Sequence, residues 1–143
     1  MTTDLRVVFD TNVVISAMLL PLSVSRRALE LLHQESLAEH GGAEGLRDAG
    51  MLDSALARAQ NIHAYENVDD PFRLAGAYAF GIAKNHPFVD GNKRAAFIAA
   101  GLFLRINAIR LKADKAQAAL VMFDLAAGQL TEPQFAEWLR KNT

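Results

Sequence analysis

Hydrophobic residues recur at helical spacing along most of this chain and predict a succession of α-helices. Residues that favour helix N-termini precede several of the periodic segments: Ser25, Asp48, Asp70 and Thr131. The predicted helices cover about residues 26–40, 51–60, 71–85, 91–107, 115–127 and 132–138. The pattern therefore predicts an all-α fold, a bundle of helices.

The predicted helix at about 91–107 differs from the others because its apolar residues occupy every face. From Ala95 to Leu104 the sequence is Ala-Ala-Phe-Ile-Ala-Ala-Gly-Leu-Phe-Leu, with no polar side chain. A helix that is apolar all round is typically buried on all sides. We expect this helix to be the buried centre of the bundle.

The first 24 residues differ in kind from the rest. Residues 6–9 form a possible short strand, and Asp10 separates them from an apolar run at 13–20. This opening resembles the start of PIN-domain nucleases, in which an aspartate at a strand end binds metal. No alternation of strands and helices follows, which favours a helix cap as the role of Asp10. We predict an atypical extension at 1–24 and a helical domain at 25–143.

The composition narrows the possible functions. The formal net charge of the 143 residues is −1, and lysine and arginine are scattered, which argues against a direct nucleic-acid surface. The chain has no cysteine and therefore neither a disulfide framework nor a thiolate metal site. The apolar run at 13–22 lacks the features of a secretory signal and is too short to span a bilayer. We expect a cytoplasmic protein that does not enter a membrane.

Side chains capable of chemistry are concentrated between His86 and Arg94, in the sequence His-Pro-Phe-Val-Asp-Gly-Asn-Lys-Arg. A histidine can accept a proton from a hydroxyl near neutral pH, so His86 is a candidate general base. Asp90 offers a carboxylate, and magnesium on a nucleotide usually takes one or two of these together with phosphate oxygens. Gly91 allows the backbone to approach an anion closely.

The last three residues of this segment, Asn92, Lys93 and Arg94, fall in the first turn of the predicted central helix. The unpaired N–H groups and partial positive charge of a first turn suit a phosphate. The same dipole disfavours cations, so two adjacent cations there indicate a bound anion. The alternative is an ordinary turn between helices whose cations are solvated.

The segment from His86 to Arg94 resembles the motif of the Fic/Doc family, His-x-Phe-x-(Asp/Glu)-(Gly/Ala)-Asn-x-Arg, and is most similar to its Doc branch. The resemblance extends from about residue 29 to the C-terminus. It implies a Fic/Doc-type helical bundle and a toxin of a type II toxin–antitoxin system. Doc toxins pass the γ-phosphate of ATP to a threonine of elongation factor Tu and so stop translation.

The resemblance also implies a role for each motif residue. His86 would be the catalytic base, and Asp90 would hold Mg²⁺. The groups that would bind the phosphates of ATP are Gly91, Asn92, Lys93 and Arg94. Adenylylating Fic proteins have a glycine where this chain has Lys93 and a second arginine where it has Phe97, which favours a kinase. Adenylyl transfer and a non-catalytic, antitoxin-binding regulatory relative remain the alternatives.

The resemblance implies regulation by a separate partner. Many Fic proteins carry an inhibitory Ser/Thr-x-x-x-Glu-(Gly/Asn) motif, and neither Glu44-Gly45 nor Glu66-Asn67 is preceded by the required hydroxyl residue. We therefore expect inhibition by a Phd-like antitoxin. The histidines outside the motif, His33, His40 and His63, are predicted to be surface or loop residues without a role in the site.

Overall fold

A computed structural model describes Val24 and residues 26–143, and this part of the chain contains six α-helices. They are α1 (Arg26–His40), α2 (Ala49–Glu66), α3 (Pro71–Asn85), α4 (Asn92–Ile106), α5 (Lys115–Ala127) and α6 (Glu132–Lys141). No strand occurs within that range, so the prediction of an all-α fold is confirmed. The possible strand at 6–9, Asp10 with its PIN-like setting and the predicted cap Ser25 lie outside the described residues.

Local capping explains why the helix starts could be predicted. The side chains of Asp48 and Asp70 accept hydrogen bonds from backbone N–H groups at the starts of α2 and α3. Thr131 and Gln134 form a capping box at the start of α6. The end of α2 was predicted too early, at about residue 60. The helix continues to Glu66 and ends at Asn67, whose left-handed conformation (φ 56°) closes it.

The core is built around α3 and α4, which pack closely against each other. Every residue of α4 from Ala95 to Leu104 is buried, so the prediction of a buried central helix is confirmed. Helix α1 packs on α4, whereas α2 and α6 pack on α3. Within the described residues, no helix combines the length and hydrophobicity that a membrane span needs.

The backbones of α2 and α3 approach each other closely at Gly81. A Cβ atom added there would lie 3.0 Å from the carbonyl oxygen and 3.1 Å from the Cα atom of Ala55, both of which belong to the backbone. We expect Gly81→Ala to lower the free energy of unfolding by about 1–3 kcal/mol because the two helices must move apart. Urea unfolding followed by circular dichroism would measure the change.

Gly101, in the middle of α4, is the matched control. An added Cβ there meets no atom of the described residues within 4 Å. Because alanine has a higher helix propensity than glycine, Gly101→Ala is expected to leave stability unchanged or to raise it by up to about 1 kcal/mol. Equal losses of stability in the two variants would contradict the close approach at Gly81.

Candidate active site

The sequence motif forms the loop between α3 and α4, together with the first turn of α4. His86 follows the last residue of α3 in a left-handed conformation (φ 49°), and its backbone N–H donates to the carbonyl oxygen of Ile82. Its side chain is exposed, whereas the next two residues, Pro87 and Phe88, are buried. The loop is thus anchored in the core directly after the exposed His86.

A second segment, residues 41–48, lies along this loop and is called here the facing segment. The backbone N–H of Val89 donates to the carbonyl oxygen of Gly45 at 3.0 Å. The N–H groups of Arg47 and Asp48 both donate to the carbonyl oxygen of Pro87, at 2.7 and 3.0 Å. The Arg47 guanidinium donates to the carbonyl oxygens of residues 85 and 86. These bonds hold the loop against the facing segment.

Asn92 holds the loop from within. Its side-chain oxygen accepts the backbone N–H of Phe88 at 2.9 Å, and its side-chain nitrogen donates to the Phe88 carbonyl oxygen at 3.0 Å. The Asn92 side chain is buried, so both polar groups of the Phe88 backbone are satisfied away from solvent. The structure therefore gives this side chain a loop-positioning role, and its predicted contact with phosphate stays a prediction.

The Asp90 carboxylate is exposed and held by two backbone N–H groups. Oδ1 accepts from Gly91 at 2.8 Å, and Oδ2 accepts from Ala43 in the facing segment at 3.3 Å. The hydrogen bond from Gly91 lowers the pKa of Asp90 below its usual range, and the hydrogen bond from Ala43 lowers it further. The carboxylate is therefore ionised at neutral pH and oriented towards the facing segment.

His33 corrects one prediction. The expectation of a surface or loop residue is wrong, because only 3% of His33 is exposed and its ring lies in the core beside the motif loop. His33 Nε2 lies 2.8 Å from the carbonyl oxygen of Asp90, and the imidazole stacks on the Phe88 ring with centroids 3.9 Å apart. The helical spacing of Leu29, His33 and Leu37 on the buried face of α1 is the sequence signal that could have revealed it.

All six predicted site residues line one cavity of about 550 Å³. They are His86, Asp90, Gly91, Asn92, Lys93 and Arg94, joined by Gly41, Gly42 and Val89. The first backbone bond of α4 runs from the N–H of Ala95 to the carbonyl oxygen of Gly91, so the N–H groups of the three preceding residues fall before the helical ladder. Together with two exposed cations, they form a setting suited to a polyanion.

A second cavity of about 370 Å³ adjoins the first, because Lys93 and Arg94 line both. Its floor is largely apolar and includes Phe97, Ile98 and Met122. The cationic first turn of α4 thus separates a polar cavity from an apolar one.

The donor set at Asp90 fits magnesium that is shared with a nucleotide. Magnesium commonly takes one or two carboxylates and completes its shell with phosphate oxygens and water. Asp90 is such a carboxylate, ionised and exposed, and an added Cβ at Gly42 would come within 3.0 Å of its Oδ2. No group of three or more His, Cys, Asp or Glu side chains that could hold a metal ion occurs among the residues described. The site therefore suits magnesium that arrives with phosphate.

The fold and the motif geometry agree with a comparison against known protein families. The model of the Fic/DOC family matches residues 23–104, more than half of the chain, and the chain belongs to that family. Within the family it belongs to the Doc branch. A protein of Escherichia phage P1 named protein kinase doc is 32% identical over 118 residues, which cover 82% of this chain and 93% of the phage protein. A protein of Mycolicibacterium smegmatis named toxin Doc is 45% identical over 78 residues, 52% of this chain and 58% of that protein.

Proposed function

We propose that this protein is the toxin of a type II toxin–antitoxin system and a protein kinase that uses ATP and Mg²⁺. The kinase phosphorylates a threonine of elongation factor Tu. This modification of the elongation factor stops translation in the cytoplasm. One observation carries the proposal: a histidine, an ionised carboxylate and two cations line a single cavity at the N-terminus of a buried helix. The names of the two relatives, one a kinase and one a toxin, support it.

Each motif residue has a defined part in the proposed reaction. His86 accepts the proton of the threonine hydroxyl as this oxygen attacks the γ-phosphorus. The bond from that phosphorus to the β–γ bridging oxygen breaks, and ADP leaves. Asp90 would hold magnesium, and the bound ion would neutralise negative charge on the phosphates. Lys93, Arg94 and the backbone N–H groups at the start of α4 position the phosphates and stabilise the charge that develops on them.

Two side chains support transfer of phosphate over transfer of an adenylyl group. Lys93 occupies the position at which adenylylating relatives have glycine, so this chain has a cation there. The Lys93 ammonium lies 5.9 Å from the centroid of the Phe123 ring on α5. Phe97 is only 8% exposed and its ring lies 6.4 Å from that of Trp138, so the position of the second arginine is apolar. A triphosphate bound in the adenylylating orientation would lose that arginine contact.

The proposal includes a Phd-like antitoxin that inhibits the toxin in trans. Two large apolar side chains of α5, Leu120 and Phe123, are 68% and 60% exposed. They lie on the helix whose Ala119 and Met122 line the largely apolar cavity. An amphipathic helix that covered them would also lie next to the proposed phosphate site. Inhibition by steric exclusion of ATP would follow from that position.

A labelling experiment tests the proposed reaction. Purified protein, Mg²⁺ and elongation factor Tu are incubated with ATP labelled at either the γ- or the α-phosphate. We expect label on elongation factor Tu from the γ position only, and none with His86→Ala. The control variant is His63→Asn, since His63 bonds the carbonyl oxygen of Val68 away from the motif loop.

Each outcome of this experiment has one meaning. Label from the α-phosphate would show that the protein is an adenylyltransferase and not a kinase. It would also refute the inference that Lys93 and Phe97 favour transfer of the γ-phosphate. No label from either position, with an active phage P1 relative as positive control, would refute elongation factor Tu as the substrate.

A further inference from the structure

We propose that His33 is a positioning residue that sets the direction of the Asp90 carboxylate through the peptide bond between Asp90 and Gly91. It belongs to no motif and lies 57 residues before Asp90. The importance of this role for phosphoryl transfer rests on the function proposed above. The geometric part of the inference rests only on contacts of the described residues.

The first step is the hydrogen bond from the imidazole. A carbonyl oxygen can only accept, so His33 Nε2 carries the hydrogen that it donates to the Asp90 carbonyl oxygen at 2.8 Å. The geometry thus assigns the donor at this contact to Nε2.

The peptide group between Asp90 and Gly91 links the orientation of the Asp90 carbonyl to that of the Gly91 N–H. Because a trans peptide is planar, its C=O and N–H groups point in opposite directions. A bond that fixes the Asp90 carbonyl towards His33 on α1 therefore fixes the Gly91 N–H in the opposite direction. That N–H donates at 2.8 Å to Oδ1 of Asp90, which leaves Oδ2 for the N–H of Ala43. One buried imidazole thus orients an exposed carboxylate that it does not touch.

The fit of the loop against the ring supports this role. Gly91 adopts φ 73°, and a Cβ atom added there would lie 3.2 Å from His33 Nε2. The imidazole also stacks on Phe88, whose backbone is clamped by Asn92. His33 therefore contacts the loop on both sides of Val89, and the ring is held in the plane that the hydrogen bond requires.

Three substitutions separate the hydrogen bond from the packing. In His33→Gln the amide nitrogen can occupy the position of Nε2, so the donor is kept. In His33→Asn the amide nitrogen corresponds to Nδ1 and cannot reach Asp90. His33→Phe keeps the stacked ring and removes the donor.

Two measurements report the orientation of the Asp90 carboxylate. Amide hydrogen exchange of Gly91, measured by NMR, reports whether its N–H remains bonded. The dissociation constant of Mn²⁺ in the presence of a non-hydrolysable ATP analogue reports the orientation of Asp90. We expect the phenylalanine and asparagine variants to exchange at Gly91 about tenfold faster and to bind Mn²⁺ about tenfold more weakly, as is typical when a group supporting a metal ligand is lost. The glutamine variant should remain within about threefold of wild type.

Glutamine and asparagine variants that behave alike would overturn the proposal, even if the phenylalanine variant fails to fold. So would a folded phenylalanine variant with unchanged exchange and unchanged Mn²⁺ binding. Both readouts are independent of the protein substrate. A protein that phosphorylates nothing in the labelling experiment, yet shows these shifts in Gly91 exchange, would refute the proposed reaction and leave the role of His33 intact.

Discussion

His86→Ala is expected to lower the rate of phosphoryl transfer by about 10²- to 10⁴-fold, the usual contribution of a general base. The imidazole of His86 is exposed in the cavity, and the structure holds this residue through its backbone N–H and carbonyl groups. Alanine keeps both backbone bonds, so the loop should stay folded. Single-turnover kinetics with saturating ATP would isolate the chemical step.

The affinity for ATP and the thermal unfolding midpoint should change little in this variant, because neither depends on the exposed ring. The control is again His63→Asn, on α2. A fall in ATP affinity that accounted for the whole loss of rate would show that His86 binds nucleotide and is not the base. A rate within tenfold of wild type would exclude it from the chemical step.

The substitution Asn92→Asp is expected to lower both stability and activity while it leaves the shape of the side chain unchanged. In the protein the Nδ2 group donates to the carbonyl oxygen of Phe88, and an ionised aspartate would instead direct an oxygen at that carbonyl in a buried position. A buried acceptor left without a donor costs about 1–3 kcal/mol, and a charge adds to this. We expect a loss of about 2–3 kcal/mol in the free energy of unfolding and at least a 100-fold loss of transfer.

The dependence of this loss on pH gives a specific signature. Burial beside a carbonyl should raise the pKa of the introduced carboxyl in the folded state, because the protonated form can donate to Phe88. The deficit in stability should therefore be small below the ordinary carboxyl pKa of about 4 and grow as the pH rises towards the raised folded value. Urea unfolding across this range measures it. Asn61→Asp, an exposed position on α2, is the matched control, and a deficit in Asn92→Asp that did not vary with pH would contradict the proposed contact.

The sequence was sufficient to predict those features of the structure that depend on residues close together in the chain. Caps such as Asp70 and Thr131 act within three residues of their own positions, so the starts of α3 and α6 were predicted correctly. The burial of α4 followed from ten consecutive apolar residues. The six residues predicted for the site also line one cavity, and their catalytic and ligand-binding roles stay predictions.

The sequence was insufficient where contacts join distant parts of the chain. His33 lies 57 residues from its partner Asp90, and a single histidine on an apolar helix face carries no sign of what it will contact. The facing segment was missed for a different reason. Its bonds to Pro87 and Val89 are made by main-chain atoms, which leave no pattern in the side chains.

That main-chain pairing has a consequence for how the protein can change over evolutionary time. The hydrogen bonds that Gly45, Arg47 and Asp48 make with Pro87 and Val89 require only peptide groups, whereas the side chains of Ala43 and Glu44, which follow the cavity-lining Gly42, are exposed. These two positions can accept new residues without altering the backbone that holds the loop. Selection can therefore change the surface next to the cavity while the backbone that holds the motif loop is inherited unchanged.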